Sequence, residues 1–256
     1  IEFVKRNREN PFYLYLAYTI PHAELVAPED SMQQYRGKFP EPNQYEGRHY
    51  GDQKHPRAAY AAMVTRMDRD IGTLMETLKK LGLEENTLVI FTSDNGASGA
   101  GGGDPKFFNS NGPLRGNKRD LYEGGVRVPM IAKWPGRIEA GSLSDHVSAF
   151  WDFMPTAAQL AGVETPPNID GISMLPALLG ESEKQKKHEY LYWEYMKKDS
   201  QAIRKGKWKA VKTNLDKNPD QTPELYDLTR DIGEQNNVAA EYPEVVATME
   251  RLFKES

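Results

Sequence analysis

The sequence predicts an α/β protein: part of a mainly parallel sheet flanked by helices, followed by a small C-terminal antiparallel sheet with a terminal helix. Three observations carry this prediction. Short, nearly continuous apolar segments recur in the first half, and a long amphipathic stretch lies between the first two of them. After residue 187 the pattern changes to short alternating segments, and one final amphipathic stretch closes the chain.

The apolar segments have the composition of strands that are buried on both faces of a parallel sheet. Pro, Gly or Asp bounds each of them, and they are Phe12–Tyr18, Thr87–Thr92 and Val128–Trp134. Between the first two, apolar residues at helical spacing predict a helix from Arg57 to Leu81. Pro56 suits its first turn and Gly82 suits its end. Strand, helix and strand together predict a βαβ crossover.

Downstream elements follow from local signals. A helix is predicted near Pro155–Ala161, with Asp152 as its N-cap and Gly162 as its stop. The polar stretch 181–187 is a linker or a solvated loop. A closing helix is predicted over Glu244–Lys254, with its apolar residues on one face. The short antiparallel strands before it are predicted at Tyr190–Met196, Gln201–Arg204, Trp208–Thr213 and Glu224–Leu228.

Composition excludes several classes of protein. The 256 residues contain no Cys, so a disulfide scaffold, a Cys-ligated zinc site and a thiol enzyme are excluded. A formal net charge of −4 does not indicate a nucleic-acid surface, and no apolar run is long enough to span a membrane. The chain begins at Ile1 without a readable targeting segment, and three predicted strands make a thin sheet. We therefore expect the native N-terminus to lie upstream.

Polar residues follow two of the predicted strands on the same edge of the sheet, where ligands bind in open parallel sheets. Asp94 and Asn95 offer hard oxygen donors for Ca²⁺ or Mg²⁺, although Asp-Asn-Gly is also a common turn. His22 fits an anion contact or a general acid, or a packed imidazole. His49 and His55 lie in a polar loop, where they either line a substrate pocket or take no part in one. His146 and His188 have no companions in the sequence.

The segment 112–129 concentrates positive charge in a glycine-punctuated loop. Such a loop suits a tetrahedral oxyanion, or it is a solvated basic loop. Its cations are Arg115, Lys118, Arg119 and Arg127. Glu123 and Arg127, four residues apart, can also pair and brace the turn. The glycine-rich stretch 96–104 does not open a helix and is interpreted as a flexible loop rather than a nucleotide site.

Taken in order, these motifs resemble the type I, formylglycine-dependent sulfatases of the alkaline phosphatase superfamily. The resemblance covers nearly the whole chain. The residues that carry it are Pro21-His22, Tyr60-Ala-Ala-Met-Val with Asp68, Leu88-Val-Ile-Phe-Thr-Ser-Asp-Asn-Gly96, Gly112-Pro-Leu-Arg-Gly-Asn-Lys118, Glu123-Gly-Gly-Val-Arg-Val-Pro129 through Gly136, Asp170–Pro176, Ala202–Lys209 and Glu224–Leu228.

The resemblance implies a sulfuric ester hydrolase, arylsulfatase-like, that removes sulfate from a sulfated carbohydrate such as a glycosaminoglycan. Asp94 and Asn95 match the downstream pair of Ca²⁺ ligands. Lys118 matches the lysine that holds the sulfate and the leaving-group oxygen. His22 matches the histidine that contacts the sulfate and protonates the leaving group. Glu24 stands where the family commonly has a proline, and it either faces the sugar or caps the loop.

The family's acidic pair and its Cys or Ser nucleophile motif, the source of formylglycine, have no match here. Ser110-Asn-Gly-Pro-Leu-Arg115 has one residue too many before the proline and is rejected. We expect residues 1–182 to be the C-terminal part of the catalytic domain and residues 183–256 to be a small α+β subdomain. The chain alone is then expected to lack turnover and tight calcium binding.

Two alternatives stay open: a phosphodiesterase or phosphonate hydrolase of the same superfamily, and a non-catalytic glycan-binding module. The expected partner is a sulfated sugar or an aryl sulfate, with no nucleic acid. The resemblance implies a periplasmic, secreted or lysosomal setting.

Overall fold

The computed structural model describes residues 1–42, 44–47 and 49–256. These residues form two compact units, one of Ile1–Thr87 with Ser98–Ser110 and one of Leu88–Ala97 with Asn111–Ser256. The helices are α1 Glu2–Arg6, α2 Glu29–Met32, α3 Pro56–Lys80, α4 Glu123–Val126, α5 Phe153–Ala161, α6 Leu175–Leu178 and α7 Pro243–Glu255. The strands are β1 Val89–Thr92, β2 Met130–Lys133, β3 Leu191–Tyr195, β4 Ser200–Lys205, β5 Trp208–Lys212 and β6 Glu224–Asp227.

Helix α3 organises the first unit and confirms the predicted helix to within one residue at each end. Pro56 occupies its first turn. The carboxylate of Glu41 accepts hydrogen bonds from the backbone N–H groups of Arg57 and Ala58, both at 3.0 Å. These N–H groups have no partner inside the helix, and a negative charge is favourable at the positive end of its dipole. The apolar face of α3 packs on Leu25 and Met32 through Ala58, Ala59, Ala62 and Met63.

The C-terminal end of α3 is closed by two backbone hydrogen bonds that require a left-handed residue. Gly82 has φ +69° and donates to the carbonyl of Lys79 at 3.0 Å. Leu83 donates to the carbonyl of Leu78 at 2.9 Å. This pair of bonds is a Schellman motif, and glycine fits it because it has no Cβ to oppose a positive φ.

The segment 12–18 carries no strand, which corrects the prediction made for it. Among the described residues its backbone makes no hydrogen bond, and Tyr13 and Tyr15 are 73% and 70% exposed. A run of apolar, β-branched or aromatic residues indicates that a segment can join a sheet. A strand forms only where a neighbouring strand offers backbone hydrogen-bond partners.

Strands β1 and β2 form an antiparallel pair in the second unit, with Val89 opposite Lys133 and Thr92 opposite Met130. The prediction that these two segments run parallel is therefore wrong. The reason is that a continuous apolar run reports the burial of both faces and carries no information on strand direction. The α/β class itself is confirmed, as is the C-terminal antiparallel sheet with its terminal helix.

That C-terminal sheet has the order β3-β4-β5-β6, antiparallel throughout, and its strands match the four predicted ones to within one residue at each end. Gly206, at φ +58°, makes the short turn between β4 and β5. One face packs against α7, with buried side chains Ile203, Ala210, Leu225, Val246, Met249, Leu252 and Phe253. The opposite face packs on Leu121 with Ala202, Val211, Tyr226 and Leu228.

Helix α5 ends at Gly162, whose φ of +67° confirms the predicted stop. Asp152 precedes the helix, but its carboxylate accepts hydrogen bonds from the backbone N–H groups of Ala149 and Ile172, both at 2.8 Å. The predicted domain boundary at residue 182 stays a prediction. No helix in the described ranges combines the length and the apolar composition that crossing a bilayer requires.

Two glycine substitutions at α3 should change stability in opposite directions. Gly82→Ala forces a Cβ into a positive φ, and we expect a loss of about 1 kcal/mol in the free energy of unfolding. Gly72 lies inside the helix, and a Cβ added there would meet no atom within 4 Å. Gly72→Ala should therefore add about 0.5–1 kcal/mol. Urea unfolding of both variants checks this. Equal effects of the two substitutions would contradict the role of Gly82 as a left-handed cap.

Candidate active site

The loop that follows β1 is held by backbone contacts that exclude side chains. Gly96 is buried, and its N–H donates to the carbonyl of Gly125 at 3.0 Å. A Cβ on Gly96 would collide with the carbonyl of Gly124. Cβ atoms on Gly124 and Gly125 would in turn collide with the carbonyls of Arg115 and Asp120. The close approach of the two loops therefore depends on glycine at position 96, while Gly124 and Gly125 allow the tight packing of segment 115–125 on itself.

Asp94 and Asn95 present free oxygen atoms at this loop. Asp94 is exposed, and no hydrogen bond to its carboxylate occurs within the described ranges. The Asn95 Nδ2 donates to the carbonyl of Gly96 at 3.0 Å, which leaves Oδ1 as the available atom. Two hard oxygens fit Ca²⁺ in kind but not in number, since the ion takes about six to eight. No group of three potential His, Asp or Glu ligands occurs among the described residues.

The backbone of Lys118 is hydrogen-bonded to this loop. Its N–H donates to the carbonyl of Ala97 at 2.8 Å, and the Asn111 Oδ1 accepts from the N–H of Ala97 at 3.2 Å. The Asn111 Nδ2 donates to the carbonyl of Gly116 at 2.8 Å. The Lys118 side chain is half-buried and has no ion-pair partner in the described part of the chain. An ammonium group without an ion-pair partner in the described residues is available to an anionic ligand.

The other cations of the basic loop have different surroundings. Arg115 donates to the hydroxyl of Tyr226 and to the carbonyl of Glu234, both at 2.9 Å, and stacks over Tyr122 with 3.8 Å between its guanidinium carbon and the ring centroid. Arg127 pairs with Glu123 at 3.5 Å, as the spacing of these residues suggested. These two arginines therefore brace the loop, whereas Lys118 and Arg119 are without such partners among the described residues.

His22 belongs to the first unit, and its ring has one nitrogen engaged. The Nδ1 lies 2.6 Å from the carbonyl oxygen of Ala23, which can only accept, so Nδ1 carries a proton. In the neutral ring, Nε2 then has no proton and can accept one. In the positively charged ring, Nε2 carries a proton that it can donate. The imidazole is exposed and packs edge-on against Tyr50. The exposed Glu24 places its carboxylate against the backbone of Gly51.

A polar cleft of about 510 Å³ opens in the second unit next to Lys118 in sequence. Three of its residues are non-glycine residues with a positive φ: Arg119 at +80°, Asp199 at +42° and Asn214 at +56°. Lys198 pairs with Asp120 across it at 2.6 Å. Strained backbone of this kind concentrates at ligand-binding sites, which makes the cleft a candidate for binding polar groups.

The structure reveals charged residues that the sequence did not single out. Lys209 and Glu234 are fully buried, and both approach Glu123. The only sequence signal for Lys209 was its place in an alternating strand at an inward position. His188, which lacked companions in the sequence, contacts the buried carboxylate of Asp152 at 2.9 Å.

Comparison with known proteins gives the family of this chain. The family model described as Sulfatase matches residues 1–163. The chain belongs to the sulfatase family. A second model, described as N-sulphoglucosamine sulphohydrolase, C-terminal, matches residues 116–256 of this sulfatase chain.

Two curated relatives show the extent of the similarity. Steryl-sulfatase of Rattus norvegicus is 37% identical over 196 residues, which are 75% of this chain and 30% of the relative. N-acetylgalactosamine-6-sulfatase of Canis lupus familiaris is 36% identical over 185 residues, which are 70% of this chain and 31% of the relative. The chain thus spans about a third of the length of these relatives.

Solved structures extend the similarity to the fold. Ps i-CgsB in complex with a k-i-k-neocarrahexaose has a TM-score of 0.80 at 32% identity, with 99% of this chain and 52% of that chain covered. A protein in complex with its substrate D-glucosamine-2-N,6-O-disulfate has a TM-score of 0.62 at 31% identity, with 79% of this chain and 40% of that chain covered.

Proposed function

We propose that this sulfatase-family chain is part of a formylglycine-dependent sulfuric ester hydrolase that acts on a sulfated carbohydrate. The single observation that carries the proposal is the pairing of two loops. One presents oxygen atoms of Asp94 and Asn95, and the other presents the ammonium of Lys118, groups for which the described residues provide no partner. The 2.8 Å bond from Lys118 to Ala97 fixes the two loops side by side.

Each of these groups has a defined task in sulfate ester hydrolysis. Lys118 would hold the anionic sulfate and stabilise the charge that develops on the leaving-group oxygen. Asp94 and Asn95 would supply two of the ligands of Ca²⁺, which as a Lewis acid polarises the sulfate when bound. His22, with Nδ1 engaged by the carbonyl of Ala23, would deliver a proton to the leaving group from Nε2.

The cleft supports a carbohydrate as the substrate. Its lining alternates cationic, carboxylate, amide and hydroxyl groups, which matches the hydroxyl and anionic groups of a sulfated sugar. Two of the similar solved structures hold saccharides, a neocarrahexaose and a glucosamine disulfate. We propose a sulfated saccharide as the substrate, and a periplasmic, secreted or lysosomal setting on the basis of family membership.

The first test measures sulfate release from 4-nitrophenyl sulfate and from a sulfated glycosaminoglycan by the product of the complete reading frame that contains these residues. Lys118→Ala should lower kcat/KM by about 10²–10³-fold, because it removes a preorganised cation from the developing oxyanion. The control is Lys79→Ala, since Lys79 is exposed on α3. Faster release from phosphate esters than from sulfate esters would contradict the proposal.

The second test examines calcium. Asp94→Asn should raise the Ca²⁺ concentration that gives half-maximal activity by at least about tenfold, because it removes the only charged oxygen that this loop offers. Asp220→Asn, at an exposed carboxylate, is the matched control. Activity that survives exhaustive chelation, or an equal response of the two variants, would show that Asp94 is not a calcium ligand.

A further inference from the structure

Three ionisable side chains are buried together in the second unit. Lys209 and Glu234 are 0% exposed and Glu123 is 1% exposed. The Lys209 Nζ donates to Glu123 Oε1 at 2.8 Å and lies 3.9 Å from Glu234 Oε1. The Glu123 N–H donates to Glu234 Oε2 at 2.6 Å. We call these three residues the buried charge cluster.

Further charges surround the cluster from each element packed against it. Arg204 on β4 and Arg127 after α4 lie 3.6 Å and 3.5 Å from Glu123 Oε2. Arg115 donates to the carbonyl of Glu234, and its own neighbours are the hydroxyls of Tyr122 and Tyr226 and the carboxylate of Glu224. The Lys209 ammonium also lies 5.1 Å from the ring centroid of Trp193.

Glu123 connects the cluster to the candidate active site. It begins α4, and the next two residues are Gly124 and Gly125. Gly124 donates to the carbonyl of Arg115 at 2.7 Å, and Gly125 accepts from Gly96 at 3.0 Å. A shift of the Glu123 backbone is therefore transmitted directly to the loop of Asp94 and Asn95. No side chain lies between them to absorb the shift, because these contacts are between backbones.

Burying these charges costs more desolvation free energy than burying apolar residues in the same place would. Buried ion pairs contribute little to net stability because desolvation opposes the attraction, yet loss of one partner leaves an uncompensated charge. Burial would raise the pKa of Glu123, but Lys209 lowers it below its ordinary value. Among the described residues Glu234 Oε1 has no hydrogen bond, so the carboxylate is under-satisfied, and the Glu234 backbone has a left-handed φ of +52°.

We propose that Lys209, Glu123 and Glu234 are positioning residues that hold the Gly124–Gly125 turn against the Ser93–Ala97 loop and thereby set the places of Asp94, Asn95 and Lys118. The assignment of a catalytic purpose to those places rests on the proposed function. The mechanical coupling itself rests on the contacts within the second unit.

The protonation of Glu234 gives the coupling a pH dependence. Burial raises the pKa of Glu234 to about 7, against the lowering effect of Lys209. Between its ordinary value near 4.5 and this value, the folded state binds more protons than the unfolded state. Rising pH therefore destabilises the cluster, because two ionised carboxylates then share one lysine. The loop contacts should loosen as the pH passes about 7.

The experiment is amide hydrogen exchange followed by mass spectrometry on the product of the complete reading frame. Lys209→Met keeps an unbranched side chain, one atom shorter than that of lysine, and removes its charge. Lys212→Met is the matched control, since Lys212 lies on the same strand but faces Phe253 on the opposite side of the sheet. Glu234→Gln is the milder variant, which keeps an acceptor for the Glu123 N–H and provides the test if Lys209→Met does not fold.

In Lys209→Met, we expect exchange to accelerate at least about tenfold at residues 93–97 and 116–125, with α7 unchanged. Lys212→Met should leave both loops as in the wild type. After correction for the intrinsic rate, exchange at these loops in the wild type should be faster at about pH 8 than at about pH 6, and Glu234→Gln should abolish the difference. With sulfate esters, kcat in Lys209→Met should fall about tenfold while KM changes less than about threefold.

Unchanged exchange at both loops, or equal acceleration in α7, would overturn the proposal and leave the cluster a purely structural element. These outcomes are separate from a failure of the proposed function. A wild-type protein without sulfate release would overturn that function, while the exchange pattern would still decide whether the cluster positions the loops.

Discussion

The candidate site of the second unit depends on one steric constraint, the contact between backbones at Gly96, Gly124 and Gly125. At this distance no side chain fits, and the 3.0 Å bond from Gly96 to Gly125 forms only because none is present. Everything polar at the site is arranged around this contact. Asp94 and Asn95 precede it on one loop, and Lys118 is joined to the same loop through Ala97. The site is therefore placed by backbone packing rather than by its own charges.

Charges in this unit divide into two groups with different physical roles. Asp94 and Lys118 keep contact with solvent and have no partner among the described residues, so they can exchange water for a ligand at low cost. Lys209, Glu123 and Glu234 are buried from water and lie in contact with one another. A charge of the first group is available for binding, while a charge of the second group constrains geometry. The basic loop contains both paired and unpaired cations among the described residues, and its total charge does not distinguish the two.

The sequence predicted those elements whose signals are local. The 3.6-residue spacing and the Pro and Gly boundaries gave α3, and period-two alternation gave β3 to β6. Strand direction in the β1–β2 pair was missed because an apolar run is the same in either direction. The strand predicted at 12–18 does not form, because a strand needs a neighbouring strand, which local propensity does not report. Asp94 and Lys118 stood out as polar residues in loops, but the partners of Lys209 and Glu234 lie 86 and 111 residues away.

The number of oxygen donors limits what this chain would contribute to the proposed calcium site. Asp94 and Asn95 provide two, and Ca²⁺ takes about six to eight, so most of the coordination sphere must come from water, substrate oxygens or other residues. Two donors on a mobile loop would add little, because the cost of ordering them would offset the attraction. The glycine contact and the buried charge cluster reduce that cost by ordering the loop in advance. In the proposed calcium site, this chain would therefore contribute two oxygen donors whose positions are already restricted.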